Sequence, residues 1–182
     1  MKILLFGSIA AGKTTIAKII TKQFTDFKFI GIDNYRCKYG NGTMEGEKSA
    51  QKEFVKAINK DKNQIIEASG LGTLGLDIYE TMAEYEEQIL LIILHIPVDE
   101  IKIRIKYRTW NIPFPGGQEK LENIILSINL GISFGKIPMT WSELTNATIL
   151  QIENRNKKNQ IFIIQIISNY IKLKKNDTIR NN

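Results

Sequence analysis

Short apolar runs alternate with amphipathic segments along the 182 residues of the chain. The run at 89–96 is almost wholly apolar, which is typical of a strand that is covered on both faces. Because parallel strands need crossover helices between them, the five alternations predict an α/β domain with a central parallel sheet that is flanked by helices. The predicted strands are at 3–6, 28–32, 64–68, 89–96 and 147–152.

Helical periodicity predicts the segments that cover this sheet. Glycines and prolines predict irregular stretches at 110–117 and 131–138, and a loop that can move at 37–46. We expect one domain at 1–173 and a basic, flexible tail at 174–182. The predicted helices follow residue 14 and cover about 47–59, 78–83, 98–105, 121–128 and 163–170.

The most specific motif lies between the first predicted strand and the first predicted helix. It runs from Gly7 to Thr14 and follows the G-x-x-x-x-G-K-[ST] pattern of a phosphate-binding loop. In such a loop, glycines let backbone N–H groups surround a phosphate, while the lysine reaches the β- and γ-phosphates and the hydroxyl ligates Mg²⁺. We therefore predict ATP and Mg²⁺ as ligands, with GTP as the alternative nucleotide. The predicted nucleotide contacts are Gly7, Ser8, Ala10, Ala11, Gly12, Lys13, Thr14 and Thr15.

Asp33 and Arg36 follow the second predicted strand, at the edge of the sheet where the phosphate loop also lies. A carboxylate there can accept the proton of an acceptor hydroxyl, and an arginine can hold an anionic or polyhydroxyl acceptor. The alternative is a helix N-cap aspartate followed by a surface arginine. Beside a phosphate loop we favour a catalytic Asp33 and a substrate-binding Arg36.

The third predicted strand ends at Glu67. Its carboxylate is suited to hold Mg²⁺ through a bound water, together with Thr14, because this ion keeps most of its waters. A polar strand end that faces solvent is the alternative, and Asp33 is a rival for the metal. Glu67 and Gly70 are also candidates for the lining of the acceptor pocket.

Two further cations precede an irregular segment that we predict to be a lid at about 108–118. Arg104 and Arg108 are four residues apart, which would place them on one face of a helix. Cations on a lid can cover the transferred phosphoryl group, where charge develops on the oxygens. The alternative is a basic, solvated helix face; we favour a catalytic Arg108 and a substrate-binding Arg104.

Charge and cysteine content narrow the function classes. The net charge is +6, but four basic residues against Asp177 leave half of this excess in residues 172–182. The body is therefore near neutral, which gives little support for a dedicated nucleic-acid surface. A single cysteine, Cys37, allows no internal disulfide, and no apolar run is long enough to cross a bilayer. We expect a cytoplasmic protein without a membrane partner, either a monomer or a homodimer, in which His95 is a core residue.

Together, these motifs resemble the small P-loop kinases of the adenylate/shikimate-kinase type. The resemblance rests on the phosphate loop, Asp33-x-x-Arg36, a strand that ends in Glu67, and Arg104-x-x-x-Arg108 before a proline-containing lid. It implies a three-layer fold with strand order 2-3-1-4-5, and it places the loop at Asn154 near the nucleotide base. Within the family, Asp-x-x-Arg and the lid arginine look most like the phage polynucleotide 5′-kinase domain, which implies that Asp33 is the base, that Arg36 touches an acceptor phosphate and that Arg108 contacts the donor.

The predicted function is therefore transfer of the γ-phosphoryl group of ATP to a hydroxyl or phosphate of a small metabolite, nucleoside or nucleotide. One alternative is a polynucleotide 5′-hydroxyl kinase, which Asp33-x-x-Arg36 favours and the near-neutral body does not. A second alternative is a regulatory module that binds a nucleotide and hydrolyses it slowly.

Overall fold

Parallel strands form the central sheet of the computed structural model, which describes residues 1–109 and 111–180, with only the backbone at 118, 119, 121, 138 and 178–180. Within these residues the sheet has five strands, which lie in the order 2-3-1-4-5 when they are numbered along the chain. This confirms the parallel sheet and the strand order that the resemblance implies. The strands are β1 (Lys2–Gly7), β2 (Lys28–Gly31), β3 (Gln64–Glu67), β4 (Ile89–His95) and β5 (Ala147–Glu153).

Helices cover both faces of the sheet and give the three-layer arrangement. Side chains alternate along β1, so that Ile3 and Leu5 pack with the helices Lys13–Gln23 and Lys157–Arg180 while Leu4 and Phe6 pack on the opposite face. The helices are α1 (Lys13–Gln23), α2 (Ile32–Tyr39), α3 (Met44–Ile58), α4 (Gly72–Ala83), α5 (Val98–Lys106), α6 (Gly117–Ser133), α7 (Lys136–Trp141) and α8 (Lys157–Arg180). In the described part of the chain, none of them has the length and apolar character that a membrane span requires.

The region after β2 is more regular than we expected. Strand β2 ends at Gly31, and α2 begins at the next residue. Asp33 lies in the first turn of α2, where a carboxylate interacts favourably with the positive end of the helix dipole. The predicted mobile loop at 37–46 is reduced to 40–43, because α3 already starts at Met44. The Thr43 hydroxyl accepts a hydrogen bond from the Gly46 N–H at 3.1 Å and so caps this helix.

The C-terminal third is also more helical than we expected. The stretch at 131–138 contains the end of α6 and the start of α7, and Gly135, with φ 71°, forms the turn between them. The expected flexible tail is part of α8, which continues to Arg180. Lys175 pairs there with Asp26 at 2.8 Å, which fixes this end of the helix to the body of the domain.

Candidate functional site

The phosphate loop joins β1 to α1 and has a backbone that only small residues permit. Gly7 and Gly12 have positive φ values of 146° and 85°. A Cβ at Gly7 would lie 2.6 Å from the carbonyl oxygen of Leu94, and one at Gly12 would lie 2.6 Å from Asn154 Nδ2. Both glycines are therefore required, by conformation as well as by space.

Lys13 lies at the start of α1 and is almost fully buried by the loop. Its ammonium donates to the carbonyl oxygens of Gly7 and Ser8, at 3.0 and 2.8 Å. Burial lowers the pKa of Lys13, and the nearby Glu67 carboxylate opposes this effect. The first turn of α1 has no acidic side chain, so no carboxylate of this turn neutralises the positive end of the helix. This set of donors fits a polyphosphate.

Thr14 and Glu67 form the oxygen-rich part of the site. The Thr14 hydroxyl lies 2.9 Å from each oxygen of the Glu67 carboxylate, and Lys13 Nζ lies 3.9 Å from one of them. Glu67 is only 9% exposed, and this burial raises the pKa of its carboxyl, although Lys13 and Thr14 oppose the shift. A hydroxyl and a carboxylate are the hard oxygen ligands that Mg²⁺ prefers, so the pair fits this ion.

Asp33 and Arg36 lie together on α2, across from the phosphate loop. Arg36 Nη1 donates to Asp33 Oδ1 at 3.0 Å. The same guanidinium also donates to Glu47 of α3, from Nε at 2.9 and 3.2 Å and from Nη2 at 2.7 Å. Burial would lower the pKa of Arg36, but Glu47 and Asp33 outweigh it and hold the pKa above its usual range.

Arg108 and Arg104 are not on one helix face, because α5 ends at Lys106. Arg108 follows the helix and places Nη2 4.0 Å from Asp33 Oδ2. Arg104 donates instead to the carbonyl oxygens of Ala10, Asn154 and Arg155, at 3.1, 3.1 and 2.6 Å. Arg104 thus braces the phosphate loop against the loop after β5 and contacts neither Asp33 nor Arg36 through these bonds, and its binding of the acceptor stays a prediction.

Asn154 and Gly70 have structural roles next to the site. Asn154 is almost fully buried, and its Nδ2 donates to the carbonyl oxygen of Ala11 at 2.8 Å, so it holds the phosphate loop from behind. Gly70 has a φ of 79°, and a Cβ there would overlap the ring of Phe6. Gly70 thus packs against the core, while Ser69 before it faces the cavity described next.

One cavity of about 970 Å³ is lined both by the phosphate loop with its neighbours and by the residues around Asp33. Its walls include Lys13, Thr14 and Glu67 on one side and Asp33, Arg36 and Arg108 on the other. These are six of the side chains that the sequence singled out. A smaller cavity of about 450 Å³ lies beside Lys2 at the opposite edge of the sheet.

Three parts of this cavity were not predicted. Glu47 gave no signal in the sequence, because it looks like any acidic residue near the start of a helix. Phe114, in the irregular segment after α5, lies with its ring centre 5.1 Å from the Arg36 guanidinium carbon. Another part of the wall comes from α6, whose apolar side chains looked like ordinary core positions; it contributes Ile124, Ile128 and Gly131.

Comparison with known proteins identifies the fold. No protein-family model and no curated protein matches the chain. Shikimate kinase from Acinetobacter baumannii, solved with shikimate, has a TM-score of 0.65 and 19% identity over 96% of this chain and 94% of its own. Shikimate kinase from Bacteroides thetaiotaomicron gives 0.62 and 15%, with coverages of 94% and 98%. A gluconokinase from Sinorhizobium meliloti gives 0.59 and 10%, with coverages of 95% and 96%. The chain therefore has the fold of the small P-loop kinases, which confirms the resemblance at the level of fold.

Proposed function

We propose that the chain is an ATP-dependent phosphotransferase that moves the γ-phosphoryl group to a hydroxyl or phosphate of a small metabolite, a nucleoside or a nucleotide. The observation that carries the proposal is the shared cavity, which the phosphate loop and Asp33 line from two sides. Arg108 lines the same cavity on the side of Asp33, with Nη2 4.0 Å from Asp33 Oδ2. The kinase fold of the similar structures supports the same reaction class.

In the donor half, the phosphate loop and Lys13 bind the β- and γ-phosphates of ATP. Thr14 and Glu67 would hold Mg²⁺, which would neutralise charge on the phosphates. Arg108 contacts the transferred phosphoryl group, whose oxygens carry developing charge in the transition state. Asn154 and Arg104 act indirectly, because they fix the loop carbonyls and so the direction of the loop N–H groups.

In the acceptor half, Asp33 orients the hydroxyl of the acceptor. Arg36 holds Asp33 Oδ1, which leaves Oδ2 on the side of Arg108 to accept the hydroxyl proton. The acceptor oxygen forms a bond to the γ-phosphorus, the bond to the bridging oxygen breaks, and ADP leaves with that electron pair. Holding the two reactants in line supplies roughly 7–11 kcal/mol of the barrier in such reactions.

The alternatives differ in what they require of Arg36 and of the acceptor. A polynucleotide 5′-hydroxyl kinase needs a cation for the acceptor phosphate, but Arg36 is engaged by Asp33 and Glu47. A regulatory NTPase needs no acceptor, and the Asp33 side of the cavity would then have no role. Both remain distinguishable from the main proposal by product analysis.

One panel of labelled ATP tests the proposal. Sugars, nucleosides, nucleotides, cofactor precursors and 5′-hydroxyl oligonucleotides are incubated with the wild-type protein and with Lys13→Ala. We expect transfer to one small-molecule class, lost in Lys13→Ala because the buried ammonium is removed. Label that appears only in inorganic phosphate would refute the phosphotransferase and favour the regulatory NTPase, whereas transfer only to oligonucleotides would favour the polynucleotide kinase.

A further inference from the structure

Residues 107–116, the lid segment, join α5 to α6, and two of the described residues in this segment touch the acceptor half of the cavity. Arg108 Nη2 lies 4.0 Å from Asp33 Oδ2. Farther along, the ring centre of Phe114 lies 5.1 Å from the central carbon of the Arg36 guanidinium. Both contacts join groups of the protein itself, so the lid segment can dock on the acceptor half before any substrate binds.

Arg36 offers Phe114 a fixed surface. The guanidinium donates to Asp33 from Nη1 and to Glu47 from Nε and Nη2, and the side chain is only 13% exposed. Two carboxylates therefore hold its plane, and an aromatic ring over a guanidinium is attracted to it, most strongly where water is excluded. The contact with Phe114 is the firmer of the two, because Arg108 and Asp33 are both half-buried and their charges are 4.0 Å apart.

Phe114 is also fixed from the other side. Its side chain packs against the core cluster that contains residues of β1, α1 and α8. Its carbonyl oxygen accepts a hydrogen bond from the Gly117 N–H at 3.2 Å, and Gly116, with φ 89°, lets the chain turn there into α6. The start of α6 thus helps to position the ring on Arg36.

This position matters because Phe114 lines the cavity in which the proposed function places both reactants, together with Lys13 and Asp33. Water can attack the same γ-phosphorus as an acceptor. In that side reaction the water oxygen bonds to the γ-phosphorus, the bond to the bridging oxygen breaks, ADP leaves with the electron pair, and a proton passes to the solvent. A site that transfers to a chosen hydroxyl must therefore keep water away.

The walls of the cavity do not exclude water by themselves. Uncharged polar side chains line the cavity and can each hydrogen-bond to water. They include Gln51, Ser69, Thr73 and Ser127. The barrier must then come from a group that covers the cavity, and Phe114 is the aromatic side chain that the lid segment contributes to the lining.

We infer that Phe114 is a specificity-determining residue that favours the acceptor over water. With its ring on Arg36, the lid segment stays closed over the cavity and water has restricted access to the γ-phosphorus. An acceptor that binds at Asp33 and Arg36 then presents its own hydroxyl in place of water. This inference rests on the proposed function and adds to it the means by which hydrolysis of ATP is suppressed.

Hydrolysis of ATP without any acceptor tests the inference. ADP and inorganic phosphate formed from MgATP are measured for wild type and for two variants of Phe114. We expect Phe114→Ala to hydrolyse ATP at least about fivefold faster than wild type, because the ring that restricts water is removed. Phe114→Tyr keeps the ring and should stay within about twofold of wild type. Phe162→Ala removes an exposed phenylalanine of α8, outside the cavity, and is the matched control that should also equal wild type.

The contact with Arg36 is tested by combining substitutions. Once Arg36→Met has removed the guanidinium, adding Phe114→Ala should change the rate of hydrolysis by less than about twofold, because the contact is already lost. The same increase in both backgrounds would overturn the inference, since Phe114 would then act without Arg36.

Amide hydrogen exchange at 111–117, measured without nucleotide, gives a readout that does not depend on turnover. We expect exchange there to be at least about fivefold faster in Phe114→Ala than in wild type, while exchange in α1 is unchanged. Phe114→Leu keeps the apolar bulk but lacks the ring, so it should show the same increases in exchange and hydrolysis. It serves for both measurements if Phe114→Ala does not fold.

The inference is overturned if the variant without the ring equals wild type in hydrolysis or in exchange, or if Phe162→Ala raises hydrolysis as much. The kinase is judged separately, by transfer from labelled ATP to the acceptor panel in wild type. ADP formed there without a phosphorylated acceptor would refute the kinase. Transfer to an acceptor, together with unchanged hydrolysis in Phe114→Ala, would refute the inference alone.

Discussion

Replacement of Arg104 by methionine tests whether this side chain braces the phosphate loop. Methionine keeps much of the aliphatic length but removes the hydrogen bonds to the carbonyl oxygens of Ala10, Asn154 and Arg155. We expect weaker binding of MgADP and ATP, because these bonds fix the position of the loop that holds the phosphates. The affinity for an acceptor should change little.

The size of the effect follows from the geometry of these bonds. Hydrogen bonds from a charged donor contribute roughly 1.5–3 kcal/mol each. The three bonds to these carbonyl oxygens share one guanidinium, which also pairs with Glu100 at 2.8 Å and is 27% exposed. Because water replaces part of these contacts in the variant, we expect a total of about 2–3 kcal/mol. For a chain of this size, that corresponds to a Tm lower by roughly 4–12 °C.

Calorimetric titration with MgADP and thermal unfolding measure the two expectations. Lys102→Met is the matched control, because it removes one positive charge from an exposed position of the same helix. A Tm and an MgADP affinity equal to those of the control would refute the bracing role. A loss of acceptor affinity with MgADP binding intact would instead restore the expectation that Arg104 binds the acceptor.

Three further predictions test other parts of the account. Asp33→Asn should lower kcat by about 10²–10⁴-fold with ATP affinity nearly intact, since a positioned base is lost; steady-state kinetics that match wild type would contradict its role. Gly12→Ala should lower both Tm and MgADP affinity, whereas the control Gly42→Ala, which has a similar φ of 81° but open space, should carry only the backbone strain of roughly 1–2 kcal/mol. Lys175 lowers the pKa of Asp26, so that pair stabilises the fold above pH 3.8 and loses this contribution as the pH falls. Asp26→Asn should therefore lower Tm at pH 7 by less than about 2 °C and have no effect in strong acid, and an equal loss at both pH values would refute the electrostatic origin.

The parts of the site that could be predicted from the sequence are the contiguous phosphate loop and the residues that follow predicted strands or border the predicted lid. The phosphate loop is contiguous, so its glycines, Lys13 and Thr14 could be recognised without a structure. Asp33 and Glu67 could be placed because the carboxyl ends of parallel strands meet at one edge of the sheet, and Arg108 because it borders the irregular segment that we predicted to be a lid. The cavity brings these side chains together as expected.

Contacts between distant segments explain what the sequence could not predict. Glu47 and Arg36 are eleven residues apart on different helices, and only the packing of α2 against α3 joins them. The bracing contacts of Arg104 could not be predicted, because periodicity shows neither where α5 ends nor that three distant carbonyl oxygens surround its guanidinium. Asn154 looked like a residue near the base, but its amide is used by the phosphate loop.

The most direct test of the central claim is whether the γ-phosphoryl group of ATP reaches an acceptor through Asp33. Phosphorylated product and inorganic phosphate are quantified together by mass spectrometry for wild type and Asp33→Asn, with ATP affinity measured in parallel. The account predicts one phosphorylated acceptor for each ADP in wild type, and loss of that product in the variant with ATP binding retained. ADP accompanied only by inorganic phosphate, or a variant as active as wild type, would contradict it.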